Sequence, residues 1–319
     1  MTALTTTDRV AVIGAGAMGS GIARVAAQAG HAVQLYDAME GAAEKGRAAV
    51  LADLDALIRR GRASPDERDA LAARISVAPS LDALAGSRLV VEAVVERLDV
   101  KRRVFADLER IVAPDAILAS NTSSLSVTAV AAGLEHPERV AGLHFFNPAP
   151  VMKLVEIVSG LASSRAVLDT LFETAVAWGK QPVRATSTPG FIVNRVARPF
   201  YAEGLRLLEE GVADAATIDA VMREAGGFRM GPFELMHLIG HDVNFAVTRS
   251  VFEAFFCDPR YRPSLIQQEL VAAGRLGRKT GRGFYDHAAD AAPPAPATLP
   301  EGPRPRSVTQ RRRHRVQRR

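Results

Sequence analysis

The spacing of apolar residues changes near residue 190. Between Asp8 and about Pro189, short and largely apolar runs alternate with segments whose apolar residues recur three and four apart. The runs are Val10–Ile13, Ala32–Tyr36, Leu89–Val94, Ile117–Ser120, Ala141–His144 and Leu154–Val158, with Arg74–Pro79 as a further short one. The segments between them, such as Ala42–Arg60 and Asp66–Ala72, are rich in Ala, Leu and Arg. Apolar strands alternating with helices predict a doubly wound, mostly parallel α/β sheet. From Phe191 the periodicity is helical almost throughout, over Asn194–Glu210, Ala216–Glu224, Gly231–Arg249 and Pro263–Ala273. An all-α C-terminal domain is expected there, with the boundary at Thr188-Pro189-Gly190.

The expected domains are therefore 1–188, 189–287 and a terminal segment 288–319. The last is an Ala/Pro-rich linker followed by an Arg-rich tail, a composition that predicts disorder. Residues 1–8 are polar and threonine-rich, and fraying is expected.

The first strand runs straight into Gly14-Ala15-Gly16-Ala17-Met18-Gly19, and small and apolar residues at helical spacing follow. A strand, then G-x-G-x-x-G, then a helix is the fingerprint of a Rossmann-like dinucleotide site. Gly14 makes the turn, Gly16 lets backbone approach a pyrophosphate, and Gly19 brings the helix close to the sheet. The free N–H groups at the helix start favour an anion. The second strand ends at Asp37, about 20 residues on, where a carboxylate accepts from the ribose hydroxyls of NAD and repels the phosphate of NADP.

Net charge is +5, but eight arginines lie after Glu301. Without them the chain carries 32 basic and 35 acidic residues, so the basic character belongs to the tail. A nucleic-acid partner is accordingly not expected. The single cysteine, Cys257, forbids an intrachain disulfide and suits a reducing, cytoplasmic setting. No run spans a membrane and no signal-peptide layout is present, so no membrane partner is expected.

Polar residues cluster where strands end. Glu96 and Lys101 follow the third main strand. Ser120-Asn121-Thr122-Ser123-Ser124 follows the next, offering hydroxyls and an amide to a ligand or a cap to a helix. His144 ends another strand, and an imidazole there suits a general base. A base needs a partner to fix its tautomer, and Glu156, in the strand-like run Val151–Glu156, is the candidate. Asn194 opens the helical domain and could bond a substrate carbonyl. His237 and His241 are one helical turn apart, but no third ligand accompanies them, and no metal is expected.

The stretches GAGAMGSGIA, EAVVE, SNTSSL, HFFNPAPVMKLVE, TPGFIVNR, MGPFELMHLIG and GRKTGRGFYD resemble the 3-hydroxyacyl-CoA dehydrogenase family over about residues 8–287. Other runs, such as WGKQPVRATSTPGFIVNRVARPFY, look most like bacterial members of phenylacetate breakdown, which act on 3-hydroxyadipyl-CoA or similar thioesters. The resemblance implies an NAD-dependent oxidoreductase of (S)-3-hydroxyacyl-CoA. It implies His144 as base, Glu156 as its orienting carboxylate, and Ser123 and Asn194 as holders of the substrate's 3-oxygen. Gly14, Ala15, Gly16, Ala17, Met18, Gly19, Asp37, Glu96, Lys101, Ser123, Asn147 and Lys279 match NAD-contacting positions. Arg60, with Arg59 and Arg62, would meet the CoA phosphates. A homodimer through the helical domain is also implied.

The chain departs from the family pattern twice. His237 stands where the family usually has Asp, which changes the charge near the active-site helix. Phenylacetate-type relatives continue into a second, shorter helical copy, whereas here acids cease and apolar residues thin out to Val308 and Val316 after Gly302. A truncated or frameshifted terminus is the expectation. Two other readings share this fold: a dehydrogenase of free 3-hydroxy acids, and a non-enzymatic relative of the lens-crystallin kind.

Overall fold

The computed structural model describes residues 2–286 and the two-residue strand 295–296. The remainder of the expected linker and tail lies outside the described residues. By contacts the chain forms two compact units. One is Met1–Pro199 with Val247–Arg262, and the other is Phe200–Ala246 with the residues from Pro263 onward.

The first unit is built on an eight-stranded sheet. Its strands are β1 (Val10–Ile13), β2 (Val33–Tyr36), β3 (Ile75–Val77), β4 (Leu89–Glu92), β5 (Ile117–Ser120), β6 (Val140–Phe145), β7 (Leu154–Ser159) and β8 (Gln181–Thr186). They lie in the order β3-β2-β1-β4-β5-β6-β7-β8. Helices α1 (Ala17–Gln28), α2 (Ala42–Arg59), α3 (Pro65–Arg74), α4 (Leu98–Ile111), α5 (Val127–Ala131) and α6 (Arg165–Ala177) connect them. All neighbouring strands are parallel except β6 and β7, which are antiparallel. The mostly parallel doubly wound sheet is as expected.

Alternation along each strand divides the core in two. Val10 and Val12 face one apolar cluster with Val33, Leu35, Leu89, Val91 and residues of α1, α2 and α6. Ala11 and Ile13 face the other, with Val90, Leu118, Phe105, Leu108 and Val127. All four residues of β1, β4 and β5 are buried. That is why these strands read as continuous apolar runs rather than alternating ones. Strand order reverses at β1, with β2 on one side and β4 on the other, and ligands of open α/β sheets bind beyond strand ends at such a point.

Three sequence expectations need correction. The strand β8 was absent from them: Gln181-Pro182-Val183-Arg184-Ala185-Thr186 is a half-exposed edge, so it lacks an apolar signature. The N-terminal segment is tied down, with the Leu4 N–H donating to Thr174 Oγ1 at 3.0 Å and the Asp8 carboxylate accepting from the Thr5 N–H at 2.8 Å. The continuous helix expected over Gly231–Arg249 breaks at Gly240, whose φ of 103° is outside helical range.

Past β8 the helices are α7 (Val193–Glu209), α8 (Ala215–Glu224), α9 (Pro232–Ile239), α10 (His241–Ala254) and α11 (Leu265–Ala272). A short ribbon, β9 (Tyr285–Asp286) with β10 (Ala295–Pro296), follows. In the second unit Asp219 is fully buried and accepts from the Phe233 and Glu234 N–H groups and from Tyr285 Oη, so it caps α9 from outside. His237 and His241 are both buried, with ring centroids 6.0 Å apart. A Cβ at Gly283 would meet His237 Nδ1 at 2.6 Å and His241 Nε2 at 2.7 Å, so only glycine lets the chain pass.

Burial, and then the charge of His237, lower the His241 pKa from 6.5 to about 4, with Asp242 opposing. The folded chain therefore keeps this ring neutral where the unfolded chain takes up a proton. Stability contributed by the neutral ring is present above pH 6.5 and is lost as pH falls toward 4. Urea unfolding should show a loss of about 3 kcal/mol across that window, reduced in His241→Leu.

Candidate dinucleotide and acid–base site

Gly14 turns the chain off β1 with φ 93°, and a Cβ there would strike the Ala93 carbonyl oxygen at 2.5 Å. A Cβ at Gly19 would lie 1.7 Å from the Gly14 carbonyl oxygen, so helix and turn touch backbone to backbone. Gly16 differs, because nothing lies within 4 Å of its Cβ position. It is the N-cap of α1, with no side-chain cap and no acid in the first turn. The structure thus leaves open space beside an uncapped helix start, which fits a pyrophosphate.

Asp37 follows β2 and is already oriented. Its Oδ2 accepts from the Ala15 N–H at 2.7 Å and its Oδ1 from the Met39 N–H at 2.9 Å. The carboxylate is thereby bonded to the glycine-rich turn itself. Ala17 and Met18 form the first turn of α1.

Glu96 reaches the loop after β5. Its Oε1 accepts from Thr122 Oγ1 at 2.6 Å and from the Ser123 and Ser124 N–H groups at 2.9 and 3.2 Å. Burial alone would raise its pKa, but Lys101 and these donors outweigh burial and hold the carboxyl below the ordinary glutamate range. Lys101 is enclosed, with its side chain 1% exposed and its ammonium between Glu92 and Glu96. Sequence reasoning picked out Lys101 and Glu96 and passed over Glu92. The signal was available: a glutamate inside the apolar run Leu89-Val90-Val91-Glu92 needs a buried partner.

His144 and Glu156 are direct cross-strand partners in the antiparallel β6/β7 pair. His144 Nδ1 lies 2.7 Å from Glu156 Oε2, and Glu156 is fully buried. A carboxylate only accepts, so Nδ1 is the donor in this contact and Nε2 is left for another partner. The ring is walled by Phe146 and Phe191, with centroids at 4.5 and 5.7 Å. The other carboxylate oxygen, Oε1, accepts from the Ile192 and Val193 N–H groups, both at 3.0 Å. These are the orphan donors at the start of α7. Phe191 adopts φ 48° just before them, a left-handed conformation costing about 1–3 kcal/mol in a non-glycine residue.

Asn194 follows on α7, and its Nδ2 donates to the Ser123 carbonyl at 3.5 Å. Asn121 Oδ1 accepts from the Phe145 N–H at 2.8 Å, tying the same loop to the strand that carries His144. The first unit therefore contains His144, Glu156, Ser123, Asn194, Glu96, Lys101, Asp37 and the glycine turn. Asn147 is exposed just after β6, and Arg60 is exposed at the end of α2. Lys279 belongs to the second unit, where its Nζ donates to Asp242 Oδ2 at 2.5 Å. Among the described residues no group of three or more His, Cys, Asp or Glu is placed to hold a metal ion. Among them, too, no helix is long and apolar enough to cross a membrane.

A dinucleotide turn on a doubly wound sheet, with an imidazole–carboxylate pair in the same unit, is an arrangement that suits nicotinamide-dependent chemistry. Comparison narrows it. Residues 9–188 match the model of the 3-hydroxyacyl-CoA dehydrogenase NAD-binding domain, and residues 190–287 match that family's C-terminal domain. The chain belongs to the 3-hydroxyacyl-CoA dehydrogenase family, and its cofactor is NAD. It is 54% identical over 281 residues to 3-hydroxyadipyl-CoA dehydrogenase of Escherichia coli K12, covering 88% of this chain but 59% of that protein. The chain thus spans about three-fifths of that relative's length. A 3-hydroxybutyryl-CoA dehydrogenase of Bradyrhizobium diazoefficiens is 40% identical, with 88% of this chain and 95% of that one covered. The crystal structure of (S)-3-hydroxybutyryl-CoA dehydrogenase from Ralstonia eutropha superposes with a TM-score of 0.83 at 39% identity, covering 88% of this chain and 99% of that one.

The open space at Gly16 separates binding from folding. Gly16→Ala should melt as the parent does, yet bind NADH roughly tenfold more weakly, as a methyl group intrudes on the pyrophosphate. Fluorescence titration with NADH beside a thermal melt measures both.

Proposed function

We propose that this chain is an NAD-dependent (S)-3-hydroxyacyl-CoA dehydrogenase, converting the C3 alcohol of a thioester to the ketone. The observation that carries the reading is the His144 Nδ1–Glu156 Oε2 contact of 2.7 Å in an NAD-binding fold. The substrate class follows from the relatives, whose names specify 3-hydroxyadipyl-CoA and 3-hydroxybutyryl-CoA.

When bound, NAD supplies the acceptor for the hydride leaving C3. The hydroxyl proton passes to His144 Nε2, and the C3–O bond becomes a carbonyl. Glu156 fixes the tautomer and stabilises the imidazolium that forms. Ser123 and Asn194 hold the substrate oxygen. Gly14 to Gly19, Asp37, Glu96, Lys101, Ser123, Asn147 and Lys279 are the proposed cofactor contacts. Arg60 is assigned to the CoA phosphates. Much of the rate would come from alignment, since holding reactants in reacting geometry is worth roughly 7–11 kcal/mol. We also infer a division into NAD-binding and helical domains at 188/189, a homodimer formed through the latter, and a cytoplasmic setting.

Two measurements test this. NADH oxidation is followed with acetoacetyl-CoA, longer 3-oxoacyl-CoAs and a 3-oxoadipyl thioester, with free 3-oxo acids as controls. Faster turnover of the free acids would reject the thioester reading. In His144→Gln, NADH binding should persist while turnover falls by on the order of 10²–10⁴-fold. Parental turnover in that variant would remove the base.

A further inference from the structure

A second buried carboxylate lies beside the dinucleotide site, and the proposed reaction does not use it. Glu92 ends β4 and is fully buried between β1 and β5, paired in register with Ile13 on one side and Ser120 on the other. Its Oε1 accepts from Lys101 Nζ at 2.7 Å and from the Val94 N–H at 2.7 Å, and its Oε2 accepts from Ser120 Oγ at 2.7 Å. The Lys101 ammonium also lies 3.2 Å from Glu96 Oε2. Glu96 commits its other oxygen to Thr122, Ser123 and Ser124. One ammonium is therefore shared by two carboxylates of different character. Glu92 is fixed in the middle of a sheet. Glu96 sits past the strand end, its side chain 36% exposed, against the loop that carries Ser123.

The shared ammonium makes the position of Glu96 depend on Glu92. A buried lysine must keep a carboxylate in contact. While Glu92 supplies one, Glu96 is free to lean onto the Ser123 and Ser124 N–H groups. Without it, Lys101 has Glu96 alone, and the ion pair competes with the loop for the same carboxylate. A second link runs in parallel, because Ser120 Oγ, held by Glu92, accepts from the Thr122 N–H at 3.2 Å.

We propose that Glu92 is a positioning residue of the dinucleotide site: it anchors Lys101, and Lys101 sets Glu96 and the Ser123 loop for the cofactor. The proposal rests on the NAD-binding reading of this loop.

The test compares Glu92→Gln, Lys101→Met and the double variant. The readouts are the NADH dissociation constant by fluorescence, the separate KM values for NAD and for 3-hydroxybutyryl-CoA, and the melting temperature. Glu92→Gln should weaken NADH binding roughly tenfold, the scale of one charged hydrogen bond. KM for NAD should rise in step, and by more than KM for the thioester, whose oxygen Ser123 of the same loop also holds. The double variant leaves no buried charge unpaired, so it folds, and it should bind NADH as Lys101→Met does. NADH binding at parental strength in Glu92→Gln, with only the melting temperature lowered, would show a purely structural role and overturn the proposal. So would losses that add in the double variant, because Glu92 would then act by another route. Failure of the parent chain to bind NADH rejects the cofactor reading instead.

Discussion

A carboxylate with no access to water holds the acid–base half of this structure together. Glu156 lies in the sheet interior, where an unpaired charge costs several kcal/mol. Both its oxygens are consequently committed, one to the His144 ring and the other to the first N–H groups of α7. The same side chain therefore orients an imidazole and fixes where a helix begins. The left-handed Phe191 becomes intelligible in this light, because its turn aims the next two N–H groups at Oε1. Strain at one residue is offset by charge-assisted bonds at the following two.

The nucleotide half is arranged by the opposite means. There the close contacts are between backbones, at Gly14 against Ala93 and Gly19 against Gly14, and the space next to Gly16 is left vacant. Asp37 is locked by the amide of Ala15 before any ribose arrives. Donors at a helix start and an oriented acceptor across from them make a site that needs little rearrangement to bind an anion. The two halves meet at the Ser123 loop. Glu96 bonds it from one side, and Asn194, just past the helix start that Glu156 caps, bonds it from another.

Much of this was legible in the chain because the chemistry was local. Strands buried on both faces have to be apolar, and β1, β4 and β5 appear almost as drawn from the sequence. The glycine turn and Asp37 follow from spacing along one crossover. His144 and Glu156 were pairable because each ends or interrupts an apolar run where a polar group needs a reason. What escaped depends on neighbours distant in sequence. β8 is an edge whose only strand signal is its pairing with β7. The break at Gly240 is a single left-handed glycine in an otherwise good helical pattern. The enclosure of Lys101 was invisible because lysine is normally solvated, and only the fold brings Glu92 to within 2.7 Å of it.

The antiparallel step at β6 and β7 has a consequence for how such a chain tolerates change. His144 and Glu156 are twelve positions apart, yet the ladder sets them opposite each other whatever lies in the connection. Residues can be gained or lost in the segment between the strands without disturbing the pair, provided the pairing itself does not slip. A slip of one position would turn the imidazole to the other face of the sheet. The chain is thus free to reshape the surface around its reactive nitrogen while the nitrogen stays in place.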